Sequence, residues 1–160
     1  MKYKLIMVFI LITLPFNIFG DSKKALFLYD MFDDESELYI NMIRQSFDLI
    51  NLPYDEVALE VGDVPDFSLY DRVFIYGKVM AFNLKSPIRD WLKTRPSLKG
   101  PDIYLLLTAN RWFIDKYTRQ ISELTKENGG IVVDAVSSAT KDLSDEEKRG
   151  LVSSLFSGFQ

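Results

Sequence analysis

Five short apolar runs recur along this chain, at residues 25–29, 57–59, 73–76, 103–108 and 131–136. Most are continuous rather than alternating, so a strand built from them buries both faces. Segments with helical spacing separate them. Buried strands alternating with helices predict one three-layer α/β domain, doubly wound around a five-stranded parallel sheet. Two-sided burial leaves little room for any other arrangement.

The intervening segments supply boundaries. Residues 36–50 predict the first helix, with Ser36 as N-cap and Tyr39, Met42, Ile43, Phe47 and Ile50 on one face. Asn51-Leu52-Pro53 ends it. Residues 55–60 alternate and read as a weaker, outer strand. Residues 61–70 are too few for a crossover helix, so one turn or a loop is expected. The next helix starts near Ser86-Pro87, where proline suits the first helical position, and buries Ile88, Trp91 and Leu92. Gly100-Pro101 precedes strand four. A further helix covers about residues 112–127, with Phe113, Tyr117, Ile121 and Leu124 inward, and Gly129-Gly130 stops it. Strand five is expected to end at Val136, with a small polar loop after it. Ser144 followed by Glu147 is a capping box that opens the last helix.

The first twenty residues stand apart. Lys2 and Lys4 precede an apolar run from Leu5 to Phe19, and Gly20 then meets Asp21-Ser22-Lys23-Lys24. That is the layout of a secretory signal peptide, with an uncleaved N-terminal anchor as the alternative. The run is short for a bilayer span, which takes about 20 residues. The expected location is periplasmic or secreted, with contact to a membrane only through this segment. Residues 21–160 then form the folded domain. Without Lys2 and Lys4, 19 basic residues fall to 17 against 23 acidic ones, a net charge near −6. Such a surface opposes non-specific binding of nucleic acid. Cysteine and histidine are both absent. Disulfides, thiolate metal sites, histidine-ligated zinc and serine–histidine hydrolysis are therefore excluded.

Tyr70-Asp71-Arg72-Val73-Phe74-Ile75-Tyr76-Gly77 resembles the third strand of flavodoxins. Ser86-Pro87-Ile88-Arg89-Asp90-Trp91-Leu92 is similar to the helix that follows in that family, and Leu98-Lys99-Gly100 to its approach to strand four. The resemblance spans nearly all of residues 21–160. It implies strand order 2-1-3-4-5, an FMN cofactor, electron transfer and a redox partner protein. Receiver domains share this fold, but they end strand three with an aspartate, where this chain has Tyr76-Gly77.

In a doubly wound sheet the ligand sits beyond the carboxyl ends of the strands, where the winding reverses. Flavodoxins fill the first such loop with glycine and hydroxyl residues that wrap a phosphate. Here that loop is Asp30-Met31-Phe32-Asp33-Asp34-Glu35-Ser36, with four carboxylates and no glycine. A phosphate dianion would meet like charge there. The other two loops offer Gly77, Lys78, Phe82, Asn110, Arg111 and Trp112 as cofactor-binding candidates. Phe82 and Trp112 either sandwich a flat ring or cap the core, and Lys78 and Arg111 can balance the acidic loop.

Asp134-Ala135-Val136-Ser137-Ser138-Ala139-Thr140 resembles the acceptor motif of proteins that a dedicated transferase flavinylates. That resemblance implies FMN linked through a phosphodiester to Thr140. Ser138 stands where the motif has glycine. Two functions remain open at this level. One is an exported, FMN-linked electron-transfer protein with a non-standard phosphate site. The other is a flavodoxin-like domain without flavin that serves as a periplasmic binding or interaction module.

Overall fold

The structure, a computed structural model, describes residues 24–30, 33–59, 65–79, 85–109, 113–140 and 142–159. The apolar N-terminal segment lies outside them, as do Phe82, Asn110, Arg111 and Trp112. Five strands, β1 (Lys24–Tyr29), β2 (Tyr54–Ala58), β3 (Tyr70–Val79), β4 (Asp102–Ala109) and β5 (Ile131–Ala139), form one parallel sheet in the order β2-β1-β3-β4-β5. Four helices connect and cover them: α1 (Asp34–Leu49), α2 (Pro87–Lys93), α3 (Ile114–Glu127) and α4 (Asp145–Leu155). This is the expected three-layer architecture and strand order.

Strand phase divides the core in two. On one face Phe27, Phe74 and Tyr104 stand side by side across three strands and meet Phe47 of α1 and Phe156 beyond α4. Phe74 stacks on Tyr104 and Phe156 with centroids 4.8 and 4.9 Å away, and takes Phe47 edge-on at 4.9 Å. On the other face Leu26, Leu28, Val73, Ile75, Ile103, Leu105 and Leu107 meet Ile88, Trp91 and Leu92 of α2 and Tyr117 and Ile121 of α3. Trp91 is fully buried, 6.1 Å from the Phe67 ring. Phe67 sits in a 3-10 turn, Phe67–Leu69, the one-turn connection expected before β3.

Caps and strand ends differ from the sequence expectation in three places. Helix α1 starts at Asp34 and is capped by Asp33, not Ser36. The Asp33 backbone is extended, and its carboxylate accepts the Ser36 amide at 3.0 Å. Both residue types cap well; Asp33 also brings the negative charge that the helix start favours. Strand β3 runs past Tyr76 to Val79, which places Gly77 and Lys78 in the sheet rather than in the following loop. Strand β5 likewise continues through Ser137, Ser138 and Ala139, because Leu107, Thr108 and Ala109 of β4 give them ladder partners. An extra residue, Val133, bulges from β5 between the pairs Ile103–Val132 and Tyr104–Asp134. The capping box is present at Ser144, and Gly129 closes α3 with φ +85, a conformation glycine adopts freely.

Truncating Trp91 to alanine removes the largest side chain beneath α2 and should cost about 3–5 kcal/mol. Urea unfolding of Trp91→Ala measures this; a near-neutral result would mean that α2 does not pack through its indole.

Candidate functional site

Chain direction sets where a site can form. β1 and β3 are adjacent, but the chain leaves β1 towards β2 and leaves β3 towards β4. The winding reverses between them, and in doubly wound sheets ligands bind beyond the carboxyl ends of the strands at such a point. Asp30 lies at that end of β1 and Gly77, Lys78 and Val79 at that end of β3. Alternation along each strand sends these residues to opposite faces of the sheet.

Lys78 follows Phe74 and Tyr76 in phase and points towards α1. Only 2% of its side chain is exposed. Its Nζ donates to Asp33 Oδ2 at 2.8 Å, to Asp33 Oδ1 at 3.0 Å and to Glu35 Oε2 at 2.6 Å. Partial burial opposes the charge on Asp33, but the Lys78 ammonium and the Ser36 donors outweigh it and hold this carboxyl below its usual range. Lys148 of α4 extends the cluster, 4.0 Å from Glu35 Oε1 and 3.7 Å from Asp145 Oδ1. Beneath it Tyr76 Oη meets Thr108 Oγ1 at 3.2 Å, and the Tyr39 ring stacks on Tyr76 at 5.7 Å. Burial pushes the Tyr76 phenol upward, so it stays protonated.

Asp30 follows Leu26 and Leu28 in phase and turns the other way, towards α2. It is 1% exposed. Its Oδ2 accepts the Ile88 amide at 3.4 Å, and Oδ1 has no hydrogen-bond partner among the described residues. Burial pushes this carboxyl up to about 8, against the pull of the Ile88 and Lys78 amides and with a further push from Asp90. Nearby, Ser86 Oγ and Tyr117 Oη lie 2.7 Å apart. Gly77 backs onto this pair: a β-carbon there would sit 3.0 Å from Tyr117 Oη and 3.3 Å from Leu107 Cδ2. The close approach of strand and α3 thus needs a residue without a side chain.

The four carboxylates of the first loop therefore do not act as one acidic patch. Asp30 is buried beneath α2, Asp33 caps α1, Glu35 bridges Lys78 and Lys148, and Asp34 faces solvent. Sequence inspection grouped them because it ignored strand phase. The buried Asp30–Ser86–Tyr117 group was missed for the same reason, although the alternation from Leu26 through Leu28 points to it. Of the expected cofactor-binding residues, the structure brings Gly77 and Lys78 to the crossing. Thr140 lies at the end of β5, 2% exposed, with its amide donating to Ala109 O at 2.8 Å and its Oγ1 to the same oxygen at 3.4 Å. Its hydroxyl is turned into the protein.

A phosphate does not fit the start of α1. Among the described residues the Ser36 amide and hydroxyl already donate to Asp33, and the Lys78 ammonium to Asp33 and Glu35. Added negative charge there is repelled by Asp33 and Glu35, an effect that the adjacent Lys78 and Lys148 ammoniums and the solvent offset in part. Among the described residues no group of three or more acidic side chains is arranged to hold a metal ion, and no helix is long and apolar enough to cross a membrane.

The Asp30 carboxyl has a consequence for stability. Unfolded, it ionises near its ordinary 3.8; folded, near 8. Between those values the folded chain keeps a proton that the unfolded chain has lost. Its contribution is thus fully present below about pH 4 and is lost as pH rises to about 8. Asp30→Asn should raise Tm at pH 8 by several degrees, because the shift from 3.8 to about 8 makes the ionised carboxylate unfavourable in the folded chain. The gain should shrink towards zero at pH 4. Thermal melts across that range decide it, and a gain that does not vary with pH would contradict the assignment.

No protein family described by sequence matches this chain, and neither does any curated protein. Solved structures do match. Oxidised flavodoxin 2 from Bacillus cereus aligns over 84% of this chain and 98% of its own, with TM-score 0.67 and 17% identity. A flavodoxin from Streptococcus pneumonia aligns over 84% and 98%, with TM-score 0.61 and 12% identity. General stress protein 14 from Treponema denticola, solved in complex with FMN, aligns over 85% and 97%, with TM-score 0.58 and 13% identity. Strand order, helix placement and these alignments agree that the chain has the flavodoxin-like fold.

Proposed function

We propose that this chain is an exported electron-transfer protein that holds a flavin at the crossing of β1 and β3 without the phosphate cradle of a flavodoxin. The supporting observation is the crossing itself, in a fold whose solved neighbours include flavodoxins and a protein in complex with FMN. The flavin would supply the redox chemistry, and the protein its pocket and its surroundings. In sequence Phe82 follows β3, and Asn110, Arg111 and Trp112 follow β4, the strand ends beyond which a ligand would be received. The basic start, apolar run and small Gly20 support export.

A second reading has its own observation. Lys78 is satisfied by Asp33 and Glu35 inside the protein, as expected of a domain that has given up an anionic cofactor. The crevice would then serve a protein or a non-phosphorylated ligand.

Purification of the exported protein from its native host, followed by a visible spectrum and an intact mass, separates these readings. The expected result is a yellow protein that releases its flavin on denaturation, with a polypeptide mass that starts near Asp21. A mass raised by one FMN less water, and lost in Thr140→Ala, would instead place the flavin covalently on that hydroxyl. A colourless protein that binds neither FMN nor riboflavin would favour the second reading.

A further inference from the structure

We infer that the crossing of β1 and β3 selects a flavin with an uncharged tail, riboflavin or a similar polyol-bearing isoalloxazine, over FMN. The inference rests on the flavin-binding reading above and names the ligand class for that site. In this fold a ligand tail that leaves the crossing runs to the helix start after β1. That place already contains its anion. Asp33 fills the Ser36 amide, and Asp34, Glu35 and Glu37 complete an acidic first turn. Two nearby cations among the described residues are engaged: Lys78 Nζ makes three contacts of 2.6 to 3.0 Å, and Lys148 lies between Glu35 and Asp145.

To grip a phosphate, Lys78 would have to leave two carboxylates, and those carboxylates would then face the dianion unpaired. Hydroxyl groups reverse the argument. A ribityl chain carries neutral donors, and the carboxylate oxygens of Asp33 and Glu35 are acceptors at the rim of the cluster, partly open to solvent. The arrangement that repels a phosphomonoester therefore suits a polyol.

Fluorescence titration of the full, flavin-free chain with riboflavin and with FMN tests this. At ~0.01 M salt riboflavin should bind at least about tenfold more tightly. Raising salt to ~1 M should strengthen FMN binding severalfold and leave riboflavin within about twofold, because only a charged tail is repelled. Glu35→Gln, which leaves Asp33 on Lys78, should narrow the gap to about threefold. If that variant fails to fold, the salt series on the unaltered chain decides alone. FMN binding that equals or exceeds riboflavin binding, or that weakens with salt, overturns the selectivity and leaves the flavin reading intact. Failure of both ligands to bind overturns the flavin reading and this inference with it.

Discussion

A lysine ammonium taken out of water must be neutralised where it lies, and much of the architecture around the crossing follows from that requirement. Lys78 is carried into the space between the sheet and α1 by the same alternation that buries Phe74 and Tyr76. An unpaired charge in such a place costs several kcal/mol. Asp33 and Glu35 meet the requirement, which fixes the first turn of α1 against the end of β3. Asp33 serves twice, as counter-ion and as helix cap, so the two structural demands cannot be satisfied independently. Such pairs add little net stability compared with an apolar substitute. What this one contributes is position: strand end, loop and helix start share a single ionic centre.

The two faces of the sheet support that centre differently. The α1/α4 face is built on aromatic rings, with Phe74 at its middle in contact with rings from α1, β4 and the end of α4. The α2/α3 face is largely aliphatic, anchored by Trp91 and Tyr117. The ionic cluster stands above the aromatic face. The buried Asp30 and the Ser86–Tyr117 pair stand above the aliphatic one. The crossing therefore has the ionic cluster on one side of the sheet and the buried, hydrogen-bonded group on the other.

Much of the fold was legible because buried parallel strands read as unbroken apolar runs. Strand centres, the α2 stripe and the Ser144 box are where the residues place them, and the strand order is the one that the flavodoxin resemblance implies. Strand lengths were less legible. Gly77, Lys78, Ser137 and Ser138 do not look like strand residues, yet their neighbours in β4 offer backbone partners, and partners rather than apolarity decide where a ladder stops. The site was half legible. An acidic first loop facing Lys78 was visible, but four carboxylates in seven residues looked alike until strand phase sorted them. Asp30 goes with Leu26 and Leu28, and Lys78 with Phe74 and Tyr76. Ser36 and Asp33 compete for one cap, and local sequence contains no term for the lysine that tips the balance.

The outer strands carry a different kind of information. An open sheet exposes backbone groups along both borders, and these can recruit another molecule's strand. On one border β5 is kinked by Val133, which breaks the even spacing a docking strand would need, although Ile131 and Val133 are themselves exposed. On the other, β2 is five residues long and bears Asp55 and Glu56, already tied to Lys24 and Arg44. Neither border is a flat, continuous template. Crowded with its own copies, this chain has little to offer them for growing a shared sheet.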